Sequence, residues 1–141
     1  MKKQILLLDD DPGVRRMLRR LLEDEHYLVR SAATGAEALQ IAGEEYIDLV
    51  LLDLNLAGEN GWEVFERLTA EHRAVPVIVI TARSNQIFPA LASGAGALME
   101  KPLDLPKLLL TIQELLAEPI EVRQARTAGR AAEFHYSPPK A

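Results

Sequence analysis

Short apolar runs alternate along the chain with stretches whose apolar residues recur at helical spacing. Gln4 to Leu8 reads as a buried strand. Asp11-Pro12 then opens a helix, with Asp as the cap and Pro at the first helical position. Val14, Met17, Leu18, Leu21 and Leu22 form its inward stripe. Tyr27 to Ala32 alternates, as an edge strand with one wet face should. Thr34 and Glu37 make a capping-box pattern for a second helix, with Ala38, Leu39 and Ile41 inward. Ile47 to Leu52 and Val75 to Ile80 are almost continuously apolar, the pattern of strands covered on both faces. Between them Trp62, Val64, Phe65 and Leu68 mark a third helix. Ser84 to Ser93 carries Pro89 and ends at Gly94-Ala95-Gly96, which predicts a short or irregular fourth helix. Ala97 to Glu100 is a fifth strand. Asp104 caps a fifth helix lined by Leu108, Leu109, Ile112, Leu115 and Leu116.

Five strands alternating with five helices imply an α/β fold, a doubly wound five-stranded parallel sheet with helices on both faces. The two continuous strands belong in the centre and the alternating second strand at an edge. The strand order 2-1-3-4-5 of a flavodoxin-like three-layer sandwich meets both demands. Residues 1–118 form this unit. After Pro119 the pattern weakens, and residues 119–141 read as a tail that is loosely ordered or docked. No internal repeat and no second domain is visible.

With 141 residues, 48% hydrophobic and 26% charged, the chain has the composition of one globular domain. Its net charge of −5 disfavours the nucleic-acid backbone as a direct partner. No apolar run approaches the roughly 20 residues that span a bilayer, so membrane insertion is not expected. The N-terminal apolar run meets charge after four residues, which is no export signal. The absence of cysteine removes disulfides, thiol nucleophiles and thiolate metal sites, and fits a cytoplasmic protein.

In a sheet of this kind ligands bind beyond the carboxyl ends of the strands. Asp9, Asp10 and Asp11 follow the first strand, and Asp53 ends the third. Thr81 ends the fourth, and Lys101-Pro102 follows the fifth. Cap duty explains Asp11 but not the rest. Carboxylates gathered at one rim repel each other and stay ionised only beside cations. Lys101 supplies one, and a divalent ion would supply another. Oxygen donors without Cys or a His cluster suit Mg²⁺, or Mn²⁺ in its place. A carboxylate can also act as nucleophile toward phosphorus, giving an aspartyl phosphate. The protein's task is then to position groups and neutralise charge.

Taken together, Leu-Leu-Leu-Asp-Asp-Asp-Pro at 6–12, Asp-Leu-Val-Leu-Leu-Asp-Leu-Asn-Leu at 48–56, Val-Ile-Val-Ile-Thr-Ala at 77–82, and Gly-Ala at 94–95 leading to Glu-Lys-Pro at 100–102 resemble the CheY-like response-regulator receiver family. The likeness spans residues 4 to about 117. It implies two-component signal transduction, with Asp53 as phosphoacceptor. By the same resemblance Asp10 would hold Mg²⁺ directly, Asp9 largely through water, and Asn55 through its backbone carbonyl, with Asp53 completing the metal set. Thr81 would hydrogen-bond a phosphoryl oxygen, Lys101 would pair with Asp53 or its phosphate, and Lys101-Pro102 would be a cis peptide. The implied phosphodonor is a histidine kinase or a histidine phosphotransfer protein. The implied output is a protein-binding surface of the fourth helix, fifth strand and fifth helix, through which a homodimer is also a candidate. Only self-phosphorylation and self-dephosphorylation would be expected as activity. The chain departs from the family pattern at Ala57 and Asn60, where Pro and Asp are common, and at Leu98, where the family usually has Tyr or Phe.

Other readings are weaker. A haloacid-dehalogenase phosphatase would place Asp-x-Asp-x-Thr on the first strand, where this chain has Asp-Asp-Asp-Pro-Gly. A phosphorylation-independent module would not need the acidic set. A winged-helix output domain would not fit in the 24 or so residues after the fifth helix. Arg15, Arg16, Arg19 and Arg20 read as a solvated face, with kinase docking as an extra role implied by the family. Gly94-Ala95-Gly96 is no dinucleotide fingerprint, because Met99 stands where the third Gly would be. His26, His72 and His135 are scattered and not expected to be ligands. Phe134 and Tyr136 read as docked on the domain or a partner, or as idle.

Overall fold

A computed structural model describes residues 2–72, 74–129 and 133–141. The elements follow in the order β1 (Gln4–Leu8), α1 (Pro12–Asp24), β2 (Leu28–Ala32), α2 (Gly35–Glu44), β3 (Leu49–Asp53), α3 (Gly61–Glu71), β4 (Val77–Thr81), α4 (Ile87–Ser93), β5 (Ala97–Glu100), α5 (Leu105–Ala117), α6 (Ile120–Thr127) and β6 (His135–Ser137). The sheet is parallel throughout, in the order β2-β1-β3-β4-β5-β6.

Alternate residues of each inner strand feed two separate cores, because successive side chains point to opposite faces. Leu6 and Leu8 of β1 join Ala38 and Ile41 of α2, Phe65 and Leu68 of α3, and Ala90 of α4. Ile5 and Leu7 join Leu18 and Leu22 of α1 and Leu108, Ile112 and Leu115 of α5. Helices therefore cover both faces, and every residue of β3 and β4 is buried.

The caps foreseen in the sequence form. Asp11 accepts the N–H groups of Gly13 and Val14, Thr34 accepts that of Glu37, and Asp104 accepts that of Lys107. Pro89 is tolerated in α4 because it sits in the first turn, where an N–H has no intrahelical partner. The helix is only seven residues long and ends at Gly94, whose φ of 86° is left-handed.

One expectation needs correction. Five strands were expected, but the described residues form six: residues 135–137 add a parallel strand to β5, with Ala97, Leu98 and Met99 opposite His135, Tyr136 and Ser137. Three residues, His-Tyr-Ser, carry no apolar run that pattern could reveal. What recruits them is the row of unpaired N–H and C=O groups on the free edge of β5. The chain reaches that edge through α6, anchored by Arg126. This buried guanidinium pairs with Glu118 and donates to the Glu133 carbonyl at 2.9 and 3.2 Å.

Candidate functional site

Register brings the acidic and basic residues to one rim. Leu8 lies opposite Leu52, so the next residues, Asp9 and Asp53, emerge side by side. Asp53 lies opposite Ile80 and Thr81 opposite Glu100, so Thr81 and Lys101 each extend one residue further. Asp9, Asp53 and Thr81 are buried. The sequence reading placed these residues together, and the structure does the same.

Lys101 Nζ lies 2.5 Å from Asp53 Oδ2 and 3.9 Å from Asp9 Oδ2. Burial alone would lower the lysine pKa. The hydrogen bond to Asp53 and the charges of Asp53, Asp9 and Asp10 more than offset this, so Lys101 is held above its ordinary value. Asp9 is raised as well, which for a carboxylate disfavours the charged form. Burial, reinforced by its bond to Asp53 and the charge of that neighbour, pushes it up to about 6 against the lowering effects of the Asp11 N–H and Lys101. One cation thus serves two buried carboxylates, and the pocket is short of positive charge.

Asp10 sits farther out. Its Oδ2 accepts the Ala57 N–H at 2.8 Å, tying the loop after β1 to the loop after β3. Asp53 Oδ1 accepts the Asn55 N–H at 2.7 Å. Among the described residues no three acidic or histidine side chains converge as a ready-made metal cage. The donors nevertheless suit a hard dication: all are oxygens, and two are buried carboxylates whose mutual repulsion a cation would relieve.

Sequence reasoning missed several partners. The Asn55 side chain, not only its backbone, holds the site: Oδ1 accepts the Ala82 N–H at 3.0 Å and lies 3.5 Å from Thr81 Oγ1. Thr81 Oγ1 also accepts the Arg83 N–H at 3.0 Å. Arg15 donates to the Asp9 carbonyl at 2.7 Å, so one arginine of the supposed solvated face supports the acidic loop. Trp62 Nε1 donates to Gln86 Oε1 at 2.8 Å, linking the starts of α3 and α4. The Tyr136 hydroxyl donates to the buried carboxylate of Glu100. Apart from the local turn contact of Thr81 with Arg83, no sequence pattern signals these contacts, since they join groups brought close by the fold. The Lys101-Pro102 peptide is cis.

Residues 5–113 match the response regulator receiver domain family. ZraR of Klebsiella oxytoca, a transcriptional regulatory protein, is 36% identical over 132 residues, which are 92% of this chain and 30% of that protein. A CheY-like receiver domain from Methanospirillum hungatei superimposes with a TM-score of 0.77 at 33% identity, covering 82% of this chain and 94% of that one. TrrA of Thermotoga maritima, solved in complex with Mg²⁺ and beryllofluoride, gives 0.74 at 29% identity, covering 80% and 98%. The chain spans about a quarter to about a half of the curated relatives' length. The chain belongs to the response regulator receiver domain family. As a receiver domain it belongs to the signalling modules of two-component response regulators. Among the described residues no helix is long and apolar enough to cross a membrane.

Proposed function

We propose that Asp53 is the phosphoacceptor of residues 1–118, charged by a histidine kinase or histidine phosphotransfer protein in a Mg²⁺-dependent reaction in the cytoplasm. The observation that carries this reading is the buried Asp53 carboxylate held on Lys101 at the open ends of the strands. A carboxylate oxygen of Asp53 attacks phosphorus. The new O–P bond forms as the donor's N–P bond breaks, and the imidazole leaves neutral, with a ring proton taken from solvent. Asp9, Asp10, Asp53 and the Asn55 carbonyl would hold Mg²⁺, which neutralises charge on the transferring group. Lys101 pairs with phosphoryl oxygens in place of the carboxylate oxygen it now holds. Thr81, buried at the end of β4, turns its hydroxyl from Arg83 to the phosphoryl group. The protein catalyses only its own phosphorylation and dephosphorylation.

The output follows from that rearrangement. Movement of Thr81 and Lys101 biases α4, β5 and α5, where Phe88 is 81% exposed and Leu91 and Leu110 about half exposed. Residues 119–141 act as an appendage on this face.

The test is intact mass after incubation with acetyl phosphate and Mg²⁺, beside Asp53→Ala. A gain of about 80 Da in the parent alone, abolished by EDTA, is expected. No gain, with the protein folded and no beryllofluoride bound, would overturn the reading in favour of a phosphorylation-independent module.

A further inference from the structure

The segment 135–140 reaches the rim around Lys101 from behind. His135 N–H donates to the Gly96 carbonyl at 3.2 Å, and Lys140 N–H donates to the Pro102 carbonyl at 2.9 Å. Between these points Tyr136 binds Glu100 through its hydroxyl. The segment therefore grips the residue before Lys101 and the residue after it. Lys101 itself is fastened at both ends, its N–H donating to the Thr81 carbonyl at 2.8 Å and its Nζ to Asp53.

Beyond the Glu133 carbonyl, which Arg126 keeps, the grip is light: a short strand, the Tyr136–Glu100 bond and a His135–Glu114 contact at 3.1 Å. A three-residue strand on a sheet edge has little pairing of its own. Tyr136 remains 36% exposed. Glu100 is 4% exposed, and its Oε2 has no hydrogen-bond partner. A buried carboxylate oxygen without a partner favours any opening that lets water reach it. Docking closes over Glu100, and release solvates it. Release also uncovers the edge of β5, while α6 stays held elsewhere by Arg126 and by its close approach to Gly94, where a Cβ would lie 3.0 Å from the Arg126 carbonyl oxygen.

We infer that residues 135–140 are a detachable strap: docked, they occupy the β5 edge and hold Glu100 and Pro102 on either side of Lys101, and a phosphoryl group on Asp53, by taking Lys101 Nζ off the carboxylate oxygen that now fastens it, loosens them. Any partner that pairs with the β5 edge must displace this strap. The phosphoryl part rests on Asp53 being the acceptor; the coupling between strap and Lys101 does not.

The experiment is hydrogen exchange at the His135 and Lys140 amides in the full chain. Three samples are compared: the parent, the parent with Mg²⁺ and beryllofluoride, and Asp53→Asn, which removes the charge that fastens Lys101. Exchange several-fold faster in the second and third is expected. Tyr136→Phe should also exchange faster and, because coupling is reciprocal, bind beryllofluoride more tightly, up to about tenfold. Unchanged exchange in folded Asp53→Asn overturns the strap. Unchanged exchange with beryllofluoride bound, as seen by fluorine resonance, overturns it too. If beryllofluoride does not bind, the acceptor reading fails, and Asp53→Asn alone decides the strap.

Discussion

Lys101 stands between two buried carboxylates, 2.5 Å from Asp53 and 3.9 Å from Asp9. Its removal leaves two facing negative charges with no other ion-pair partner among the described residues. Lys101→Met keeps much of the stem and deletes the charge. Because Lys101 is 30% exposed, the loss is smaller than for a fully buried pair, on the order of 2 kcal/mol at pH 7.5. Urea unfolding measures it. The same variant is expected to gain phosphate from acetyl phosphate far more slowly than the parent.

The second prediction concerns pH. Asp9 is held at about 6 in the folded protein against 3.8 as its ordinary value. The folded state thus binds this proton more tightly than the unfolded chain. Where the unfolded state binds fewer protons, stability falls as pH rises. Asp9 therefore removes stability between about pH 4 and 6, on the order of 2 kcal/mol in metal-free protein. Asp9→Asn is expected to be the more stable form at pH 7.5, with the advantage gone by pH 4. Urea titrations of both proteins in EDTA would show it. An Asn variant no more stable than the parent at pH 7.5 would sink the argument.

Thr81 offers a cleaner separation of chemistry from stability. Its hydroxyl accepts from Arg83 and faces Asn55, contacts worth about 1 kcal/mol. Thr81→Ala should still take phosphate, but the amide shifts of residues 84–110 that respond to beryllofluoride in the parent should shrink. Thr81→Ser restores them. Equal responses in parent and Ala variant would remove Thr81 from the switch.

Gly61 opens α3 against the loop that follows β3. A Cβ there would lie 2.6 Å from the Leu54 Cα and 2.8 Å from its carbonyl oxygen, both backbone atoms. Gly61→Ala must push away the segment that follows Asp53. A loss of about 2 kcal/mol is expected, with phosphorylation slowed as the loop shifts. Thermal unfolding and intact mass test both parts.

The residues of the sequence determined the alternation of elements, the two-faced burial of β3 and β4, and the caps at Asp11, Thr34 and Asp104. Each depends on a local period or a few adjacent residues, so each is readable without a fold. The rim set of Asp9, Asp53, Thr81 and Lys101 was legible for a related reason. Parallel strands bring their carboxyl ends to one side, so position along the chain predicts neighbourhood.

Only the tertiary structure decided the rest. Asn55 on Ala82, Arg15 on the Asp9 carbonyl, Trp62 on Gln86 and Tyr136 on Glu100 join distant or differently directed groups. The sixth strand is the plainest case. His135, Tyr136 and Ser137 have no pattern of their own, and their conformation comes from the open edge of β5 and from Arg126, which delivers the chain to it. A segment whose structure is templated by a neighbour holds no local signal of that structure, because the free energy that selects it lies in the neighbour's unpaired backbone groups.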